Sequence, residues 1–217
     1  MISISREEIL GFEKRFRGTF VNSLSGVKSA NLIATKSAAG NSNLAIFSSV
    51  IHLGASPPLL GFIMRPVTVD RHTYQNIKET LSFTVNHISY DFIKQAHGTS
   101  ARYSKEVSEF DACGFTETHS EFYAPFVKES ALRIACKLSE DIEIKSNNTR
   151  LITGHIEKVE LKEAALLPDG YVDLSVLGTA GISALDGYHK IEKAKRFKYA
   201  KPHKKVVDLN GRNESES

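Results

Sequence analysis

The apolar positions change period along the chain. Near its start Ile9, Phe12 and Phe16 fall at i, i+3 and i+7, the stripe of one helix face. Ser5 stands three positions before Glu8, which is capping-box spacing, and Gly18 is the expected stop. Residues 1–18 are therefore expected to form a helical arm whose stripe packs on the body or on a partner subunit. From about Asn31 the pattern becomes that of strands. Ala30–Ser37, Asn43–Ile51, Leu59–Met64 and Ser82–Ile88 each read as one, with turn chemistry at Ala39-Gly40-Asn41 and a break at Pro57-Pro58. Both alternating faces of Asn43–Ile51 mix apolar and small polar groups, so it is expected to be covered on both sides.

Short helices are expected between the strands. One runs from Tyr74 to Glu79, a second from Tyr90 to His97 behind a Ser89 cap and before Gly98, and a third lies between Ser104 and Gly114. Strands return at Ala131–Leu138 and Arg150–Val159, joined by the turn residues Lys145-Ser-Asn-Asn148. Pro168-Asp-Gly170 is a further turn. The segment after about Ala200 is polar, and 203–217 is expected to be a disordered tail. This order predicts a mainly β fold with helical insertions, an antiparallel barrel closed wholly or in part, rather than a doubly wound sheet.

Composition narrows the picture. The chain has 217 residues, 41% hydrophobic and 24% charged, enough for one core without covalent staples. No apolar run approaches a membrane span, and the first residues lack the basic-then-apolar order of a secretory signal. Two cysteines, Cys113 and Cys136, without a CxxC, fit a reducing compartment, so a cytoplasmic location is expected. Both are expected to pack as small apolar groups. A net charge of +3 does not call for nucleic acid and tolerates an anionic ligand. The basic run from Lys190 to Lys205 reads as a solvated face, or as a lure for a nucleotide or an acidic partner.

Several chemistries lack their residues. There is no GxGxxG after the first strand, no Walker motif, no HExxH and no GxSxG. The histidines show no metal-ligand spacing and no acid–base pair stands out, so no metal site and no catalytic side chain are expected. An enzyme of this sequence would take its chemistry from a cofactor. Small residues at Ala45, Ser48 and Ser49 would let a flat aromatic ring approach the backbone. Arg65, Arg71, His72 and Thr73 form a compact set of donors suited to a phosphate, at roughly 1.5–3 kcal/mol for each charge-assisted bond. Read singly, Ser48 and Ser49 are equally ordinary strand residues, the two arginines solvated loop charges and Asn43 a turn residue.

Taken together, Asn43-x-Ala45-x-x-Ser48 with Pro57-Pro58, Arg71-x-Thr73-x-x-Asn76-Ile77, and Ser82-Phe-Thr-Val-Asn86 resemble the flavin reductase-like family of FMN-binding split barrels. Ser108–Thr116, Ala131–Cys136 and Leu151–Ile156 continue the resemblance, which spans about Phe20 to Pro202. Where the family often has Lys-Asp-Thr, this chain has Arg71-His72-Thr73, which keeps the phosphate role of Thr73 and changes the middle group from acid to imidazole.

The resemblance implies a Greek-key split barrel over 19–202, and a homodimer with FMN at the subunit interface. NADH or NADPH would deliver hydride to flavin N5, and the electrons would pass to free flavin, a partner oxygenase or iron. It implies cofactor contacts at Asn43, Ala45, Ser48, Ser49, Val50, Arg65, Arg71, His72 and Thr73, with amides near Ser48 to Ile51 facing the ring edge. The loop holding Ser100 would line the nicotinamide side. Two other readings stay open: an FMN-binding electron-transfer or sensor protein without reductase activity, and a barrel for another phosphorylated or aromatic ligand.

Overall fold

The computed structural model describes residues 1–209. The arm is two helices, α1 (Arg6–Gly11) and α2 (Lys14–Leu24). Ser5 and Glu8 form the expected capping box. Gly18 is not the stop. The break comes at Phe12, and the Glu13 carboxylate caps the second helix through the N–H groups of Arg15 and Phe16. A carboxylate at the N-terminus of α2 restarts the helix, and Gly18 sits inside it at a modest propensity cost. Phe12, Phe16 and Phe20 pack on one another, with centroids 4.8, 5.5 and 6.4 Å apart. Neither helix buries a residue.

The body is built from β1 (Lys28–Ser29), β2 (Asn31–Lys36), β3 (Ser42–Phe47), β4 (Ile51–Ala55), β5 (Pro58–Met64), α3 (His72–Thr80), β6 (Ser82–His87), α4 (Ile93–Gly98), α5 (Glu109–Cys113), β7 (Glu117–Thr118), β8 (Phe126–Val127), β9 (Leu132–Ile144), β10 (Thr149–Leu161), β11 (Ala180–Ser183) and β12 (Gly187–Lys190). Seven strands form one antiparallel sheet in the order β3-β2-β6-β9-β10-β5-β4. Its two edge strands, β3 and β4, are consecutive in the chain and joined by the corner Ser48–Val50. The sheet is thus the wall of a split barrel. The expected strand Asn43–Ile51 is therefore two strands. A second sheet, β1-β11-β12, and the pair β7-β8 complete the strands.

Alternation along β2 explains the two cores. Ile33 points to the barrel interior with Phe62, Phe83, Val85 and Ile152, where Phe62 is edge-on to both Phe47 (5.0 Å) and Phe83 (5.5 Å). Leu32 and Ala34 point the other way, onto Ala96 of α4, Phe110 of α5 and Ile182 of β11. Asn43 and Leu44, on opposite faces of β3, are both buried, as its mixed pattern predicts. Gly154 is required where β10 crosses Phe83, since a Cβ there would lie 2.6 Å from Phe83 Cζ. Cys136 is core, its thiol pushed up to about 12 by burial, and Cys113 is half-buried.

The third expected helix is shorter than its bracket, starting behind a Ser108 cap and ending at a left-handed Gly114. The second begins as a 3₁₀ turn at Tyr90–Phe92. At the C-terminal end the expected disordered tail divides. Residues 210–217 lie outside the described residues. Residues 203–209 turn back, with Val207 O accepting from Lys198 N–H at 2.9 Å and Arg196 O from Leu209 N–H at 2.8 Å.

Candidate functional site

The candidate site lies along β3, between its open corner and the first turn of α3. At the corner, Ser48, Ser49 and Val50 have no cross-strand partners, because the β2–β3 ladder stops at Phe47 and the β4–β5 ladder begins at Ile51. Their side chains are half-buried, as is that of Ala45. Val50 packs on the interior core. The Ser49 hydroxyl is engaged with β5: it donates to Ile63 O at 3.2 Å and accepts from Ile63 N–H at 3.1 Å. This hydroxyl is satisfied within the protein and fixes the corner to β5.

α3 carries the second half of the site. Arg71 is its N-cap residue and supplies no side-chain cap, so the first N–H groups of the helix stay open to an anion. Thr73, two residues in, is buried. Its Oγ accepts from Asn43 Nδ2 at 3.0 Å, which leaves the hydroxyl hydrogen free to donate. One turn on, Asn76 Nδ2 donates to Thr35 Oγ1 at 3.0 Å and pins the helix to β2. Asn43 is thus a clamp between strand and helix rather than a turn residue.

Three guanidinium groups gather here. Arg71 Nε is buried and has no hydrogen-bond partner. Burial, then the charges of Arg65 and Arg102, hold the Arg71 pKa below its ordinary value. Among the described residues none of the three is in an ion pair. Like charges held together around an unsatisfied buried donor are a costly arrangement that an anion relieves. A phosphate monoester fits this donor set in charge, and Thr73 and the first turn of α3 add neutral donors.

His72 lines a small recess with Asn43, Asn76 and Glu109. The Glu109 carboxylate is buried and accepts from Leu44 N–H at 2.9 Å, clipping α5 to the edge of β3. Burial raises its pKa above the usual carboxylate range. Ser100 is exposed, its N–H donating to His97 O at 3.0 Å. From that loop it is Arg102 whose charge is felt at Arg71. Sequence reasoning placed Arg102 only in the loop 99–102 on the nicotinamide side and left it out of the phosphate donors, because nothing local distinguishes it from any loop arginine. Glu109 was missed because only the fold shows it inside. Among the described residues no group of three His, Cys, Asp or Glu side chains is placed to hold a metal ion.

The class defined by this architecture is a split barrel with an unpartnered, buried arginine nitrogen at the start of α3, beside β3 and its open corner. Residues 25–175 match the flavin reductase like domain, and the chain belongs to that family, a family of flavin-related oxidoreductases. A candidate flavin reductase with a split barrel domain from Shewanella frigidimarina NCIMB 400 is 48% identical. Their structures superpose with a TM-score of 0.89 over 92% of this chain and 100% of that one. Nitrilotriacetate monooxygenase component B from Bacillus cereus shares the fold at 21% identity, with a TM-score of 0.78 over 90% of this chain and 98% of that one. An uncharacterized protein from Halalkalibacterium halodurans is 29% identical over 165 residues, 73% of this chain and 78% of its own length. Among the described residues no helix is long and apolar enough to cross a membrane.

Proposed function

We propose that the protein is an FMN-binding reductase that oxidises NADH or NADPH and passes the electrons to free flavin or a partner acceptor. The observation that carries this reading is the buried, unpartnered Arg71 Nε beside Arg65 and Arg102, at the open N-terminus of α3. In a flavin reductase-like chain that cluster matches the phosphate of FMN. When bound, the flavin supplies a hydride acceptor at N5, so no side-chain acid or base is needed. The chain's own residues bind and orient. Arg71, with Arg65 and Arg102 near it, neutralises the phosphate, Thr73 donates its hydroxyl hydrogen, and the amides of Ser48–Val50 remain free of the ladder to face the ring edge. Ala45 leaves room for a flat ring.

The same reading makes the working unit a homodimer. α2 has eleven residues and buries none of them. A helix of that length is marginal in water unless its apolar face is covered. Phe16 is 57% exposed and Leu24 64% exposed. Covering that stripe with a second copy supplies what the single chain lacks. Sedimentation of the purified protein should give the mass of two chains.

The deciding experiment is a visible spectrum before and after anaerobic addition of NADH or NADPH. The protein should be yellow, or turn yellow with FMN, and bleach with one of the two. Protein that takes up no FMN ends the proposal. Protein that holds FMN without bleaching is an electron-transfer or sensor protein instead.

A further inference from the structure

A polar groove adjoins the anion anchor, and FMN alone would leave it unused. β3 runs from the β2–β3 turn at Ser42 to the open corner after Phe47, with the Asn43–Thr73 pair near its turn end. Beside that turn lies a cavity of about 340 Å3, walled by Lys36, Ser42, Lys105, Glu106, Glu117 and His119, among others. It shares Asn41, Ser42 and Lys105 with the recess against His72 and Asn43, so the two are neighbours on one surface.

The wall offers both signs of charge in an order that selects a ligand. Among the described residues neither Lys36 nor Lys105 is held in an ion pair. Glu117 accepts from Ser42 Oγ at 2.8 Å and lies 3.4 Å from His119 Nε2, which leaves carboxylate lone pairs unused. Bonds from its own N–H and the Ser104 side chain, with His72 and Lys105 nearby, keep Glu106 below the usual carboxylate range, so it too is an acceptor. A bare phosphate would meet two carboxylates here, and a metal cation two ammonium groups. A nucleoside monophosphate satisfies both sets: the lysines take its phosphate, the carboxylates accept from ribose hydroxyls or an exocyclic amine, and His119 offers a flat face.

We infer that this groove binds the adenylate half of a dinucleotide. The inference rests on the flavin reading for its neighbour: FMN ends at the phosphate held by Arg71 and Thr73, whereas FAD continues beyond it with an adenylate. NADH and NADPH carry the same group, and the experiment separates the sources.

The test uses the full chain stripped of flavin, as wild type and as the double variant Lys36→Ala, Lys105→Ala, neither residue being part of the FMN anchor. FMN and FAD are titrated by flavin fluorescence, 5′-AMP by calorimetry, and NADH and NADPH by their KM values. The variant should bind FAD at least about tenfold more weakly, through the loss of both lysines' charge-assisted contacts, with the FMN Kd unchanged. A tenfold rise confined to the KM of NADH or NADPH also sustains the groove and assigns its adenylate to the nicotinamide cofactor. Unchanged constants for FAD, 5′-AMP and both nicotinamides overturn it. If the wild type binds neither flavin, the flavin reading fails by itself. The groove is then judged by 5′-AMP alone: binding that the double variant loses sustains it, and no binding overturns it.

Discussion

The side-chain amide of Asn43 donates to the hydroxyl of Thr73 across 3.0 Å, and both residues are buried. One bond thereby joins the edge strand of the barrel to the first turn of α3 and leaves the hydroxyl hydrogen of Thr73 free to donate. Thr73→Val strands the Asn43 amide, and a buried donor left without a partner costs about 1–3 kcal/mol. Chemical denaturation should show that loss, together with weaker FMN binding. Thr73→Ser keeps the hydroxyl and should restore FMN affinity.

Arg71→Ala should separate binding from stability. Its Nε satisfies no group of the protein and its charge lies near two others, so removing it relieves repulsion. The melting temperature should hold or rise, while FMN binding weakens by about 1.5–3 kcal/mol, roughly ten- to a hundredfold. An unchanged Kd for FMN removes Arg71 from the site.

Asp141 ties α3 to the long β9–β10 hairpin. It accepts from Tyr74 OH at 2.9 Å, lies 3.1 Å from Lys78 Nζ, and accepts from Arg150 Nε at 2.5 Å. Burial raises its pKa, but the bonds from Arg150, Tyr74 and Lys78 outweigh that and hold it below the ordinary value of 3.8. A folded pKa below the unfolded one gives stability that is complete above the unfolded value and lost as pH falls through the folded one. Asp141→Asn should lower stability by about 1–3 kcal/mol at neutral pH and flatten the acid limb of a melting-temperature profile.

His87 sets a second pH dependence at a milder pH. Burial pushes its imidazole from 6.5 down to about 4, and its Nδ1 has no partner. The folded chain keeps the ring neutral, while the unfolded chain takes up the proton first. Stability is therefore complete above about pH 6.5 and falls toward pH 4, by at most about 1.4 kcal/mol per unit. Urea unfolding of His87→Gln should show a smaller slope over that interval than the wild type.

The barrel strands were legible because alternation and turn residues agree in them. β2, β5 and β6 begin and end close to where Asn31, Met64 and Ser82 place them. β11 and β12 went unseen, since Ala180-Gly-Ile-Ser183 is too short and too rich in small residues to alternate. The corner was hidden because Ser48 and Ser49 suit a strand as well as a bend. Pairing to β2 and β5, which ends at Phe47 and resumes at Ile51, shows which they are, and the Ser49 bond to Ile63, fourteen positions away, holds the bend. Arg71 and Thr73 were readable as donors side by side in the chain. Arg102 and Asp141 act through space, and no local pattern marks them.

α3 is braced by β3 at its first turn, by β2 through Asn76, and through Tyr74 and Lys78 by Asp141 near the tip of the β9–β10 hairpin. A brace carries load in both directions. An anion seated at the helix start should damp the breathing of that distant tip, and deuterium uptake by the amides around Lys145–Asn148 should slow when FMN is added.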